Sequence, residues 1–232
     1  MEPSSRSILS SQVLNILCKK FIKFHENSQN FLTFRNLNTN APLYDWIEVF
    51  GGSAERLSPL WQSRFVINGY WHHPSGFDRL TYPDFALLRL SSSFQQNSRL
   101  SPIRLPRWAD ARRSFLGSNA QLIGWGILAN STQTTHLQFA NFTINYNPTV
   151  CGTPSSIQLN GYFFCMTRGV NNASALFGDE GAPLIIREAD GILTLLGTHS
   201  FFNVENNRIF GINFSFFLNF ISTMVPSIFI RP

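Results

Sequence analysis

Short apolar runs separated by turn clusters recur along almost the whole chain, and this spacing constrains the fold more than any other feature. Ile47–Phe50 precedes Gly51-Gly52-Ser53, Phe65-Val66-Ile67 leads into Asn68-Gly69, and Phe85–Leu90 is an apolar run interrupted by Arg89. Further runs are Gln121–Gly126, which ends in glycine, His136–Asn145, Ile192–Gly197 and Ile209–Phe214. Runs of this length between Gly, Asn and Ser clusters read as strands joined by turns, and together they predict an all-β barrel or sandwich. Only Ser215–Met224 has helical spacing, with Phe217, Leu218, Ile221 and Met224 recurring on one side. It predicts a terminal amphipathic helix that stops before Pro226.

The chain has 232 residues, 44% of them hydrophobic and 13% charged, enough to bury a core. Phe is abundant, with 23 copies, and favours strands. The net charge is +5, but Lys and Arg are paired only at Lys19-Lys20 and Arg112-Arg113, and no basic run interleaved with aromatics suggests nucleic acid. No apolar stretch is long enough to span a membrane, since Asn213, Ser215, Asn219, Ser222 and Pro226 interrupt the closest candidate, Ile209–Ile230. Ser10, Ser11, Gln12 and Asn15 break any apolar block near the amino terminus, so no signal peptide is visible. The three cysteines, Cys18, Cys151 and Cys165, form no CxxC, and with histidine sparse no metal or cofactor is expected. Four Asn-x-Ser/Thr sequons, at Asn130, Asn141, Asn172 and Asn213, are candidate glycosylation sites. A polar, Pro-containing stretch from Ser91 to Trp108 divides the chain into two halves, 1–100 and 101–232.

The most specific motif is Gly178-Asp179-Glu180-Gly181-Ala182-Pro183-Leu184. It resembles the GDSGGPL nucleophile loop of trypsin-like serine proteases, with Glu180 at the position of the serine. Other landmarks follow in the order of that family. Pro83-Asp84-Phe85-Ala86-Leu87-Leu88-Arg89-Leu90 is similar to its DIALLRL segment. Ile103-Arg104-Leu105-Pro106 is similar to the PICLP strap between its barrels, and Gly124-Trp125-Gly126 to its GWG strand end. Thr198-His199-Ser200-Phe201 resembles the strand that walls its substrate cleft. The resemblance covers roughly residues 7 to 221.

The resemblance implies a single domain of two antiparallel six-stranded Greek-key barrels followed by a short carboxyl-terminal helix. The first barrel falls in residues 1–100; the second barrel and the helix fall in 101–232. Nothing like the IVGG start of active members occurs, so the first barrel is expected to lack its opening strand and the chain to be amino-terminally truncated. The resemblance also implies a disulfide between Cys151 and Cys165. Cys18 is then the unpaired thiol.

In the family a serine attacks the scissile carbonyl, a histidine takes its proton, an aspartate orients the histidine, and two backbone N–H groups hold the oxyanion. Asp84 stands at the aspartate position, Leu17 at the histidine position in Val13–Cys18, and Glu180 at the serine position. The oxyanion-hole N–H groups correspond to Gly178 and Glu180. Ser174 stands at the floor of the specificity pocket, where no acidic residue is left to attract Arg or Lys. Ser200, Phe201 and Phe202 line the cleft strand, and Phe202 replaces a glycine that leaves room for substrate, so its ring is expected to obstruct the cleft. Asp179 has no IVGG-type α-amino partner, which predicts a zymogen-like, loosely ordered loop around 174–182.

A carboxylate in place of the serine opposes the charge that develops in the transition state. The resemblance therefore implies a non-catalytic serine protease homologue, of a kind common in arthropods. Its partners would be active serine proteases, inhibitors or other extracellular ligands, and its location extracellular. Two alternatives stand beside it. One is an active serine-type endopeptidase with Ser200 or Ser174 as nucleophile and His25 or His199 as base. The other is a truncated gene product without function.

Overall fold

The computed structural model describes residues 22–24, 47–56, 58–71, 86–127, 132, 134–145, 151, 162–168, 178–203 and 208–232. Within them are ten strands: β1 (Ile22–Phe24), β2 (Ile47–Gly51), β3 (Gln62–Trp71), β4 (Ala86–Leu90), β5 (Asn119–Gly124), β6 (Gln138–Asn145), β7 (Phe163–Arg168), β8 (Pro183–Arg187), β9 (Leu193–Asn203) and β10 (Arg208–Asn213). A 3-10 turn at Phe214–Phe217 runs into the helix α1 (Leu218–Met224). The all-β class and the terminal helix follow the sequence reading.

The carboxyl-terminal half closes into a six-stranded antiparallel barrel in the order β10-β7-β6-β5-β8-β9. Strands β5, β6 and β7 pair consecutively, and the chain then returns β8 to the free side of β5. That return is the Greek-key connection. In the first half, β1, β2, β3 and β4 form a four-stranded antiparallel sheet in chain order.

Side chains alternate across the barrel wall, and both faces are used. Ala120, Leu122, Phe142, Ile144, Phe164, Met166, Leu184, Ile186 and Leu196 fill the barrel interior as one buried cluster. Their neighbours Phe163, Ile185, Leu195 and Ile212 point outward and are buried by Leu87 of β4, Leu105, Phe217, Leu218 and Ile221. This two-sided burial explains why β8 and β10 read as continuous apolar runs rather than as alternating ones. α1 is the outer cover: Leu218 and Ile221 face the wall, and Asn213 accepts the Ser215 N–H at 3.1 Å to start the turn before it. Gly197 lets β9 approach β10 closely, because a Cβ there would run into the Ile212 carbonyl.

Hydrogen bonds also tie the halves together. The segment Ala54–Arg56 pairs with Thr135–Leu137 through Leu137 N–H to Ala54 C=O (2.7 Å) and Arg56 N–H to Thr135 C=O (2.7 Å). The Trp125 indole N–H also donates to Ala54 C=O, at 3.1 Å. The polar stretch that divides the sequence runs along the barrel as a strap, with Leu195 N–H donating to Arg104 C=O at 2.8 Å.

Candidate active-site loop and cleft

The loop 178–182 is built by its glycines. Gly178 (φ +82°) and Gly181 (φ +77°) adopt left-handed conformations that flank Asp179-Glu180 and fold the backbone into a tight turn. Three backbone hydrogen bonds hold it. Ala182 N–H donates to Asp179 C=O (2.9 Å), Gly181 N–H to His199 C=O (2.7 Å), and His199 N–H to Ala182 C=O (2.9 Å). Ala182, where the resemblance expects a glycine, is fully buried in the barrel core. The described part of the expected loose loop, 178–182, is therefore stitched to β9; residues 174–177 lie outside the described residues.

The two carboxylates of this loop go to different places. Asp179 accepts the Gly126 N–H at 3.1 Å and lies against the Cα of Gly126, where a Cβ would collide with it. The GWG strand end thus supplies both the donor and the room. Glu180 turns back on its own loop, and its Oε2 accepts the Gly178 N–H at 3.0 Å. Gly178 is one of the two oxyanion-hole positions implied by the resemblance. Its backbone donor is satisfied by the side chain that stands where the nucleophile would be.

On the cleft strand, Phe210 opposes Phe201 and Gly211 opposes His199, so Ser200 is the extra residue of a β-bulge. Ser200 and His199 are only 2% and 1% exposed, and His199 Nδ1 lies 3.1 Å from the Phe210 carbonyl. With the carbonyl as acceptor, Nδ1 carries the proton. The pair considered as an alternative nucleophile and base is thus buried in the barrel wall. Phe201 stacks on Phe210 with ring centroids 4.6 Å apart and packs on the Cys151–Cys165 cluster. Phe202 is half-buried, opposite Ile209, and packs against the barrel-core cluster. Its ring is held against the barrel core.

Cys151 and Cys165 form a disulfide with Cα atoms 5.9 Å apart, and both residues are fully buried. Closing a loop of this length stabilises the fold by roughly 3 kcal/mol in the chain-entropy model. Leu17, Cys18, His25, Asp84, Asn130, Asn172 and Ser174 lie outside the described residues. Asn141 is exposed on β6. Asn213 corrects an expectation: it is fully buried, and its side-chain oxygen accepts both the N–H (3.1 Å) and the hydroxyl (2.7 Å) of Ser215. A glycan on that amide has no room in the folded domain.

A polar cluster behind the strap was not legible as a site. Arg104, at the position of the strap cysteine in the resemblance, is 9% exposed. Its Nε donates to the Thr194 hydroxyl (2.9 Å), and its two terminal nitrogens to the Asp190 carboxylate (2.6 and 3.1 Å). This fork, helped by the Ile192 N–H, lowers the Asp190 pKa to about 2. Nearby, Asp110 is buried, which opposes its charge. The Arg107 backbone N–H (2.7 Å), the Arg107 guanidinium and Arg113 outweigh that burial and lower its pKa. Arg113 also pairs with Glu188 at 3.0 Å, and that bond is the main reason its pKa is raised. The only sequence signal for the first cluster is an arginine where a cysteine was expected.

A closed six-stranded Greek-key barrel, a strap, a covering helix and a GDEGAPL turn stitched to the cleft strand define a trypsin-like serine protease domain. The family model described as Trypsin matches residues 44–221, more than half of the chain, and the chain belongs to the trypsin family. No individual curated protein matches it. The match begins at residue 44, not near residue 7 as the sequence reading had it, so Val13–Cys18 and the assignment of Leu17 fall outside it.

Proposed function

We propose that this chain is a non-catalytic member of the trypsin family that acts by binding in extracellular proteolytic pathways. Its partners are active serine proteases, their inhibitors or other extracellular ligands. The observation that carries the reading is the hydrogen bond from Gly178 N–H to Glu180 Oε2. Amide hydrolysis needs this N–H for the oxyanion, and needs a nucleophile with a base in the place that Glu180 takes. A carboxylate there satisfies the donor in the ground state and repels the negative charge of the transition state. The burial of Ser200 and His199 supports the same reading, because a nucleophile must reach substrate. Leu17 at the histidine position and the absence of an acidic residue at Ser174 are further parts of the proposal. An extracellular setting agrees with the family, with the disulfide and with the exposed sequon at Asn141. Among the described residues no helix is long and apolar enough to cross a membrane.

The reading holds that several requirements of catalysis are lost together. Glu180→Ser alone should therefore leave hydrolysis of chromogenic peptide esters at the buffer rate. Turnover by that variant well above buffer would contradict it.

A further inference from the structure

A cavity of about 570 Å3 opens between the two halves, within the size range of small-molecule sites. Its walls are Phe50, Leu60, Phe94, Leu100, Trp125 and Leu137. The Trp125 indole and the Ser53 hydroxyl in the lining are already engaged. The Trp125 indole N–H donates to Ala54 C=O at 3.1 Å, and the Ser53 hydroxyl accepts the Glu55 N–H at 3.0 Å. Behind the wall, Trp61 packs on Phe50 and Trp125 with centroids 5.2 and 6.1 Å apart, and its indole N–H donates to Ser53 C=O at 3.3 Å. The rings therefore present apolar surface that asks for no polar partner. Gly51 contributes by absence of a side chain, since a Cβ there would press to 3.1 Å from Leu100.

Arg99 is the one ionisable side chain among the described residues that line this cavity. It is exposed, and it forms no ion pair among the described residues. Among the described lining residues no carboxylate stands to neutralise it. A cationic ligand would meet like charge there, and a neutral apolar one would leave the guanidinium unused. We propose that this cavity binds a small amphipathic monoanion. Its apolar body rests against Phe50, Phe94 and Trp125, and its carboxylate pairs with the Arg99 guanidinium. The described lining contains no residue of the GDEGAPL loop, although Trp125 adjoins Gly126, which donates to Asp179; the proposal stands independently of whether the protein is catalytic.

The test uses the full chain and an isosteric pair of probes, 2-naphthylacetate and its neutral amide, 2-naphthylacetamide. Calorimetric titration should show saturable one-to-one binding of naphthylacetate, accompanied by a change in tryptophan emission, with the amide weaker. In Arg99→Gln the affinity for naphthylacetate falls roughly threefold and the preference over the amide disappears, as for a solvent-exposed ion pair. Added salt has the same effect on the wild type. Leu60→Trp narrows the mouth at a residue that is 59% exposed, so folding is not at stake, and it weakens both probes. Absence of saturable naphthylacetate binding overturns the proposal. So does binding that is indifferent to both Arg99→Gln and Leu60→Trp.

Discussion

The Glu180 carboxylate accepts the backbone N–H of Gly178, two residues before it, at 3.0 Å. In the proposed reading, the side chain at the nucleophile position thereby becomes an internal anion on an oxyanion-hole donor. Removing it in Glu180→Ala returns that N–H to solvent. Gly178 is exposed, so the cost to global stability is small, less than about 1 kcal/mol. The local effect is larger: amide hydrogen exchange at Gly178 should accelerate, while exchange at Gly181, bonded to His199 C=O, stays slow. Unchanged exchange at Gly178 would show that the bond is not populated in solution.

Arg104 joins the strap to β9 through Thr194 and to the turn before it through Asp190. Arg104→Ala strands the fully buried Thr194 hydroxyl and removes a packed stem, at about 2–4 kcal/mol by urea unfolding at neutral pH. Arg104→Met should recover the part of that loss due to the packed stem, because an apolar chain of similar length refills the space, but not the part due to the Thr194 hydroxyl, which it strands as alanine does. The pair also has a pH signature. The folded-state pKa of Asp190 is lowered from 3.8 to about 2, so its contribution is fully present above 3.8 and is lost as pH falls from there through 2. Asp110 is lowered as well and titrates in the same direction. The informative quantity is therefore the difference between wild type and Asp190→Asn. The urea midpoint of the variant should fall less steeply across that interval, and parallel curves would refute the assignment.

The buried Asn213 leads to a third expectation. Its side chain satisfies two groups of Ser215 at the start of the terminal helix. Asn213→Ala should cost about 1–3 kcal/mol, through a lost cap and an unsatisfied buried N–H. Peptide mapping of secreted protein should find Asn213 bare. Asn141, exposed on β6, is the position among the described sequons that can carry a glycan. A glycan on Asn213 in folded material would contradict the packing at this end of β10.

What the sequence reveals and what it hides divide along physical lines. The GDEGAPL turn is readable because left-handed backbone at 178 and 181 demands glycine, and glycines are visible as letters. The Cys151–Cys165 bond follows from family resemblance, and the structure bears it out. The runs in β8 and β10 announce strands, but their two-sided burial depends on what packs outside the barrel, namely Leu105, Phe217 and Leu218. The short strand at Ile22–Phe24 carries too few residues for any periodicity to register. Side-chain destinations are the least legible. Glu180 reaching Gly178, Phe202 settling on the barrel core and Arg104 forking onto Asp190 are all choices of rotamer and tertiary neighbour. A sequon shows only that an asparagine has the right successor, and at Asn213 burial overrides it.

We propose, above all, that this trypsin-family domain does not perform the family's chemistry. Reaction of the native protein with a fluorophosphonate probe, read by intact mass and peptide mapping, tests it most directly. An activated serine anywhere in the chain would be trapped as a stable covalent adduct. The expected result is no adduct under conditions that label an active trypsin to completion. A single stoichiometric adduct on any serine, Ser200 and Ser174 included, would contradict the account.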